Sequence, residues 1–216
     1  SCADFRFVLA EKPAAPEGEK IGSYGLVRNA GLFVVSIVRN GADLVEFGAV
    51  FETIVLAVTD SDLGCVWLAG TFDKKGFDRD ITRAADEYIP VVIPIGYPGK
   101  MRMMEKAARF AVGSDSRKKW NDLFFYYNFF TAYEREKTES YRVPLEMLRL
   151  APSAVNKQPW RILFDDNGFH FFLARSINPD PKTGFDVQLV DIGIALCHFV
   201  LGCRELGLKG ELIEQN

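Results

Sequence analysis

The sequence predicts an α+β fold made of two fused copies of one unit, residues 1–112 and 113–216. Three observations carry that expectation. Short runs rich in β-branched and aromatic residues, at 5–9, 32–38, 88–95 and 161–164, suit strands. Two long stretches, beginning near Asp43 and Asp191, repeat apolar residues at helical spacing. The two halves also match by constant offsets. Adding 145 carries Gly48 onto Gly193, Leu56 onto Leu201, Asp60 onto Glu205 and Leu63 onto Leu208 without a gap, and adding 155 carries Arg6–Leu9 onto Arg161–Phe164.

Taken in order, Phe5–Leu9 reads as a strand closed by a loop rich in Pro, Ala, Glu and Gly. Leu32–Val38 is a continuous apolar run suited to a strand covered on both faces. From Asp43 to Thr59, the residues Leu44, Phe47, Val50, Phe51, Ile54, Val55 and Val58 recur at helical spacing with few polar neighbours, which predicts a buried helix. Asp62-Leu63-Gly64 ends it, and Cys65–Phe72 continues as a short extended stretch and turn. Tyr88–Ile95 returns to strand, where Pro90 and Pro94 point to an edge or bulged position. Between the copies, Leu123–Tyr133 crowds Phe124, Phe125, Tyr126, Tyr127, Phe129, Phe130 and Tyr133 together. Such density predicts burial, either in a seam of helices joining the copies or as an apolar wall over a ligand.

A chain of 216 residues with 48% hydrophobic and 25% charged residues can bury one large core or two small ones. Its net charge of -3 gives no electrostatic case for nucleic acid or an anionic membrane as the main partner. Cys2, Cys65, Cys197 and Cys203 are scattered, which suits buried thiols and a reducing, cytoplasmic setting better than a disulfide framework. Polar residues interrupt the long apolar segments, and Ser1 opens no signal-peptide pattern. His170 and His198 have no second ligand at metal-binding spacing, and no Ser-His-Asp, P-loop or dinucleotide fingerprint is present. No metal site is therefore expected.

The most informative stretch is Leu150-Ala-Pro-Ser-Ala-Val-Asn-Lys-Gln-Pro-Trp160. The spacing of Leu145, Met147 and Leu148 suits a helix, Pro152 ends it, and Pro159 biases Gln158 towards an extended conformation. Ser153, Asn156 and Gln158 carry hydrogen-bonding groups without charge. They suit either the polar edge of a planar ligand or the backbone of their own loop.

The run Ala-Pro-Ser-x-x-Asn-x-Gln-Pro-Trp before a strand resembles the signature of the nitroreductase family of FMN oxidoreductases. A second match lies at Asp191-Ile-Gly-Ile-Ala195, resembling the start of that family's central helix, and at its exit, Glu205-Leu-Gly-Leu208. The resemblance implies a mostly antiparallel sheet around a central buried helix in each copy. It implies FMN as cofactor, NAD(P)H as a transient donor, and a nitroaromatic, quinone or other flat small molecule as acceptor.

By the same resemblance, Pro152, Ser153, Asn156 and Gln158 lie along the flavin, with Gln158 equally suited to a purely structural role. The turn Leu68-Ala69-Gly70 sits on the other side, with Gly70 allowing close approach to the N5 edge. The flavin phosphate needs positive charge, for which Lys106 and Arg109 are the preferred candidates, with Arg117, Lys118 and Lys119 among the alternatives. Relatives are dimers with shared sites, so a tandem copy suggests a monomer that imitates a dimer. The 155 offset places Ser1, Ala3 and Phe5 where Asn156, Gln158 and Trp160 stand, so one site is expected. Ser1 falls in mid-repeat, so the N-terminal part of the first copy reads as missing.

Overall fold

The computed structural model of the chain describes residues 4–11, 27, 30–70, 72, 76–78, 81–99, 113, 115–175 and 183–213. Phe5–Glu11 (β1) and Leu32–Arg39 (β2) pair antiparallel from Phe5 opposite Val38 to Glu11 opposite Leu32. Successive strand residues point to opposite faces. Phe33, Val35 and Ile37 of β2 therefore pack into one core with Phe72, Phe77 and Ile81, while Val34 and Val38 pack on the other side with Phe47 and Phe51. The two-sided burial expected of this run is present.

The first sheet is completed by Gly64–Cys65 (β3), Leu68–Ala69 (β4), Glu87–Tyr88 (β5) and Val91–Gly96 (β6), in the order β1-β2-β6-β3, with β4 also on β6 and β5 also on β2. Far from lying at an edge, β6 is paired on both sides. Pro94 stands opposite Phe33 of β2. On its other side, β3 pairs with Ile95 and Gly96 while β4 pairs with Val91 and Val92. Pro94 thus faces the gap where the neighbouring chain leaves the ladder, and its missing N–H interrupts no continuous strand there. Pro90 falls in the break between β5 and β6.

Helix α1 spans Leu44–Asp60, and Asp43 caps it by accepting from the amides of Val45 and Glu46 at 2.7 and 3.1 Å. Its burial is narrower than its composition predicts. Phe47, Gly48, Phe51 and Glu52 are buried, whereas Val50 is 39% exposed. The continuous apolar composition concealed one face that the core does not cover.

The second sheet contains Phe124–Tyr126 (β7), Asn128–Ala132 (β8), Trp160–Asp165 (β9) and Gly168–Leu173 (β10), in the order β10-β9-β7-β8. Only the β7–β9 pair is parallel, so the described sheets are mostly antiparallel. The aromatic run is a hairpin turning at Tyr127, where φ is 57°, and not a seam of helices. Phe124 and Tyr133 enter the core, whereas Phe130 is 100% exposed. Aromatic residues favour strands, and a strand sends neighbours to opposite faces, so their density did not imply all-round burial.

Helix α2 is Arg142–Leu150, and helix α3 is Val187–Glu205, capped by Asp186. The latter begins one turn before Asp191, which is buried inside it. Length and hydropathy alone would allow α3 to cross a membrane. The polar interruptions do not prevent that composition, but ten of its residues are buried within the fold, Gln188 and Asp191 among them.

Helices α1 and α3 cross at two glycines. A Cβ on Gly48 would meet the Val190 backbone, and one on Gly193 would meet the Val45 backbone. Each partner in one contact is displaced by 145 from its counterpart in the other. The helix exits follow the same displacement: the amides of Asp62 and Leu63 donate to Thr59 and Val58, and those of Gly207 and Leu208 donate to Arg204 and Cys203. Asp62, with φ 59°, occupies the left-handed position that Gly207 fills in α3.

Candidate functional site

The loop from Ala151 to Pro159 joins α2 to β9, and its conformation follows from what holds its two ends. Ala151 leaves the helix with ψ 144°, ahead of Pro152. The Arg117 guanidinium donates to the Leu150 carbonyl from Nε and Nη2, at 3.1 and 3.0 Å, placing a cation on the carboxyl end of α2. At the far end Trp160 is wholly buried, and the Pro159 carbonyl accepts from the Ala174 amide at 2.7 Å.

Between those ends the chain makes a 3₁₀ turn at Ala154–Asn156. Val155, Asn156 and Gln158 have φ values of 42°, 56° and 48°, in the left-handed region that L residues seldom occupy and a β-branched residue least of all. Gln158 is therefore not extended as its position before Pro159 suggested. Its buried side chain overrides that bias: Oε1 accepts from the Lys118 amide at 2.7 Å, and Nε2 donates to the Asn156 carbonyl and Oδ1 at 3.2 and 3.0 Å. Asn156 Nδ2 donates in turn to the carbonyls of Gly113 and Ser116, at 2.5 and 3.0 Å.

Ser153 is extended, and its Oγ accepts from the Gln158 amide at 2.9 Å. A hydroxyl that accepts once keeps its own proton for another partner. Pro152, Val155 and Lys157 are exposed, and Ser153 is half-buried. The rim of the loop is therefore formed by Pro152, Ser153, Val155 and Lys157, and carries the Ser153 hydroxyl and the Lys157 ammonium. Asn156 and Gln158 instead spend their amides on the loop and on residues 113–118.

Asp191 anchors the loop from below. Its Oδ1 accepts from the Ala154 amide at 2.9 Å, while Oδ2 is buried without a partner among the described residues. Burial pushes this carboxyl up to about 7, the Ala154 bond opposes the rise, and the nearby Asp186 carboxylate adds to it.

Leu68, Ala69 and Gly70 are the other expected contributors among the described residues. Leu68 is buried in the core of the first sheet, Ala69 is half-buried, and Gly70 is exposed with φ 73°. No hydrogen bond links these residues to the 151–159 loop among the described residues. Lys106 and Arg109 lie outside the described residues.

A further polar cluster joins α1, α3 and the turn before β4. Buried Glu52 pairs with His198 Nε2 at 2.9 Å and accepts from Trp67 Nε1 at 2.9 Å. Sequence reasoning passed over Glu52 and treated His198 as a solitary histidine. The available signal was an acid one helical turn from Gly48 on the buried face of α1, and its partner lies 146 residues away. No group of three or more His, Cys, Asp or Glu side chains that could hold a metal is present among the described residues.

The family model described as "Putative TM nitroreductase" matches residues 6–203. Among solved structures, a "putative nitroreductase" from Thermotoga maritima matches with TM-score 0.54 and 22% identity over 95% of this chain and 68% of that one, which is a likeness of fold. A nitroreductase family protein from Clostridium novyi NT gives TM-score 0.35 and 16% identity over 61% of this chain and 74% of that one. No curated protein matches. With a match across nearly all the described strands and helices, the chain belongs to this nitroreductase family.

Proposed function

We propose that the chain is an FMN-dependent oxidoreductase whose 152–158 loop holds the polar edge of the flavin ring. Membership of the nitroreductase family supports an oxidoreductase function. The observation that carries the finer reading is the loop itself: three left-handed residues cross-bonded to their surroundings leave Ser153 and its neighbours on the rim. Strain held in place by surrounding bonds is a mark of a ligand clamp.

The chemistry of the rim fits the group. A flavin edge offers several acceptors and one N–H, and the rim offers the Ser153 hydroxyl and the Lys157 ammonium. Ser153 and Pro152 would bind directly; Asn156 and Gln158 would hold the loop in shape. Leu68, Ala69 and Gly70 are proposed for the opposite side of the ring, and Lys106 and Arg109 for its phosphate. When bound, the flavin supplies the redox chemistry, taking hydride from a nicotinamide donor and passing electrons to a flat acceptor such as a nitroaromatic or quinone. The protein binds and orients it.

The reciprocal contacts of Gly48 with Val190 and of Gly193 with Val45 support a single chain that imitates a family dimer; a cytoplasmic monomer is the proposed form. A flavin carrier without turnover is the second reading. It is favoured by the internal commitment of the Asn156 and Gln158 amides, which leaves few side chains to grip a ring. The test is the visible spectrum of the full-length protein with FMN, then with NADPH under anaerobic conditions. Bound flavin that bleaches supports the oxidoreductase; bound flavin that stays oxidised with NADPH and with NADH supports the carrier; no uptake overturns both.

A further inference from the structure

We propose that Asp191 is a positioning residue for the ligand loop, holding Ser153 and Val155 in their outward-facing conformation through its bond to the Ala154 amide. The inference rests on the flavin reading above. Asp191 is 2% exposed, and its Oδ1 makes the hydrogen bond that ties the 3₁₀ turn to α3 among the described residues. That tie falls where the loop supports itself least, between extended Ser153 with φ −150° and left-handed Val155 with φ 42°.

The second oxygen shows that Asp191 is more than an architectural acceptor. Oδ2 is buried with no partner among the described residues, a cost that native structures seldom carry without a reason. The neutral acid can still accept the Ala154 amide, whereas ionisation leaves a charge buried beneath the loop, so ionisation favours release of the loop. Burial raises this carboxyl to about 7, where both forms coexist at neutral pH. Asp186, at the start of the same helix, is the charge that acts on it. The other titratable groups on elements packed against α3, Glu46, Glu52 and Asp60 of α1, Arg142, Glu146 and Arg149 of α2, Lys157 of the loop, Arg161 and Asp165 of β9 and His170 of β10, are not among the causes of its shift.

The test is FMN affinity, read by flavin fluorescence over a pH range of about 5.5 to 8.5, for the full chain and its Asp191→Asn and Asp191→Ala variants. Amide hydrogen exchange of residues 151–158 is measured in parallel on flavin-free protein. The FMN phosphate itself titrates near pH ~6, so the Asn variant, which keeps a neutral acceptor, is the reference. Relative to it, the wild type should lose about tenfold in affinity from the low to the high end of the range. Ala154 should be less protected in the Ala variant.

Superimposable pH profiles for wild type and Asp191→Asn overturn the proposal, as does unchanged Ala154 exchange in Asp191→Ala. If the Ala variant fails to fold, the comparison of wild type with Asn still decides. If the wild type binds no FMN, the flavin reading fails by itself. Exchange then decides alone: Ala154 protection that falls with pH in wild type relative to Asn supports the positioning role, and protection that does not overturns it.

Discussion

Gly48 and Gly193 lie back to back where α1 crosses α3: a Cβ on Gly193 would stand 3.0 Å from the Gly48 Cα and 2.8 Å from the Ala49 nitrogen. The obstructing atoms are backbone and cannot swing aside. Gly193→Ala and Gly48→Ala should each force the helices apart and cost about 3 kcal/mol or more. Gly210→Ala, with no neighbour within 4 Å, is the control and should change stability by less than about 0.5 kcal/mol. Urea unfolding followed by circular dichroism measures all three.

Asp191 makes stability depend on pH with a definite sign. Burial pushes its carboxyl up to about 7 in the folded protein, against 3.8 for a free aspartate. Between those values the folded state binds more protons than the unfolded state. Its contribution is therefore fully present below pH 3.8 and is lost as pH rises through about 7, a loss on the order of 4 kcal/mol. Asp191→Asn should flatten that part of the stability profile. Unfolding midpoints for the two proteins at matched pH test this, and parallel profiles would sink it.

Ser153 and Asn156 should separate binding from architecture. Ser153→Ala removes a rim hydroxyl and one acceptor for the Gln158 amide, and should weaken FMN binding about tenfold while the protein stays folded. Asn156→Asp places a carboxylate against the carbonyls of Gly113 and Ser116 and should cost about 2–3 kcal/mol of stability. FMN titration alongside thermal unfolding distinguishes them. Equal stability losses in both variants would contradict this division of roles.

Glu52 holds two partners at once. Glu52→Ala leaves the Trp67 indole N–H and the His198 ring without their acceptor, and should cost about 2–4 kcal/mol. Glu52→Gln keeps an acceptor and should cost less. The ordering Ala below Gln below wild type in denaturant midpoint is the expected result.

Phe130 provides the opposite case. Fully exposed on an edge strand, it should tolerate Phe130→Ser within about 0.5 kcal/mol. Phe124→Ala, from the buried side of the same hairpin, should cost about 3–5 kcal/mol. A large loss at Phe130 would mean that this face is covered.

Gly70 shows why a substitution proposed from sequence needs its backbone angle. Valine there would obstruct an approaching ring, but φ of 73° makes any β-branched residue strained with or without a ligand. Ala69 is the better position for such a block.

The strands near 5–9, 32–38 and 161–164, the two-sided burial of Leu32–Val38 and the central helices were legible in the sequence. They depend on local periodicity and on proline and glycine, whose effects are carried by neighbouring residues. Tertiary structure decided the rest. Pro94 could enter a doubly paired strand because β3 and β4 leave a gap beside it, and the aromatic run became a hairpin with one bare face. Gln158 turned left-handed because the Lys118 amide, 40 residues earlier, takes its side-chain oxygen. Asp191 met Ala154 and Glu52 met His198 only when distant segments packed. Periodicity records which face is apolar, but the partner of a polar group is set by chain crossings that no local window contains.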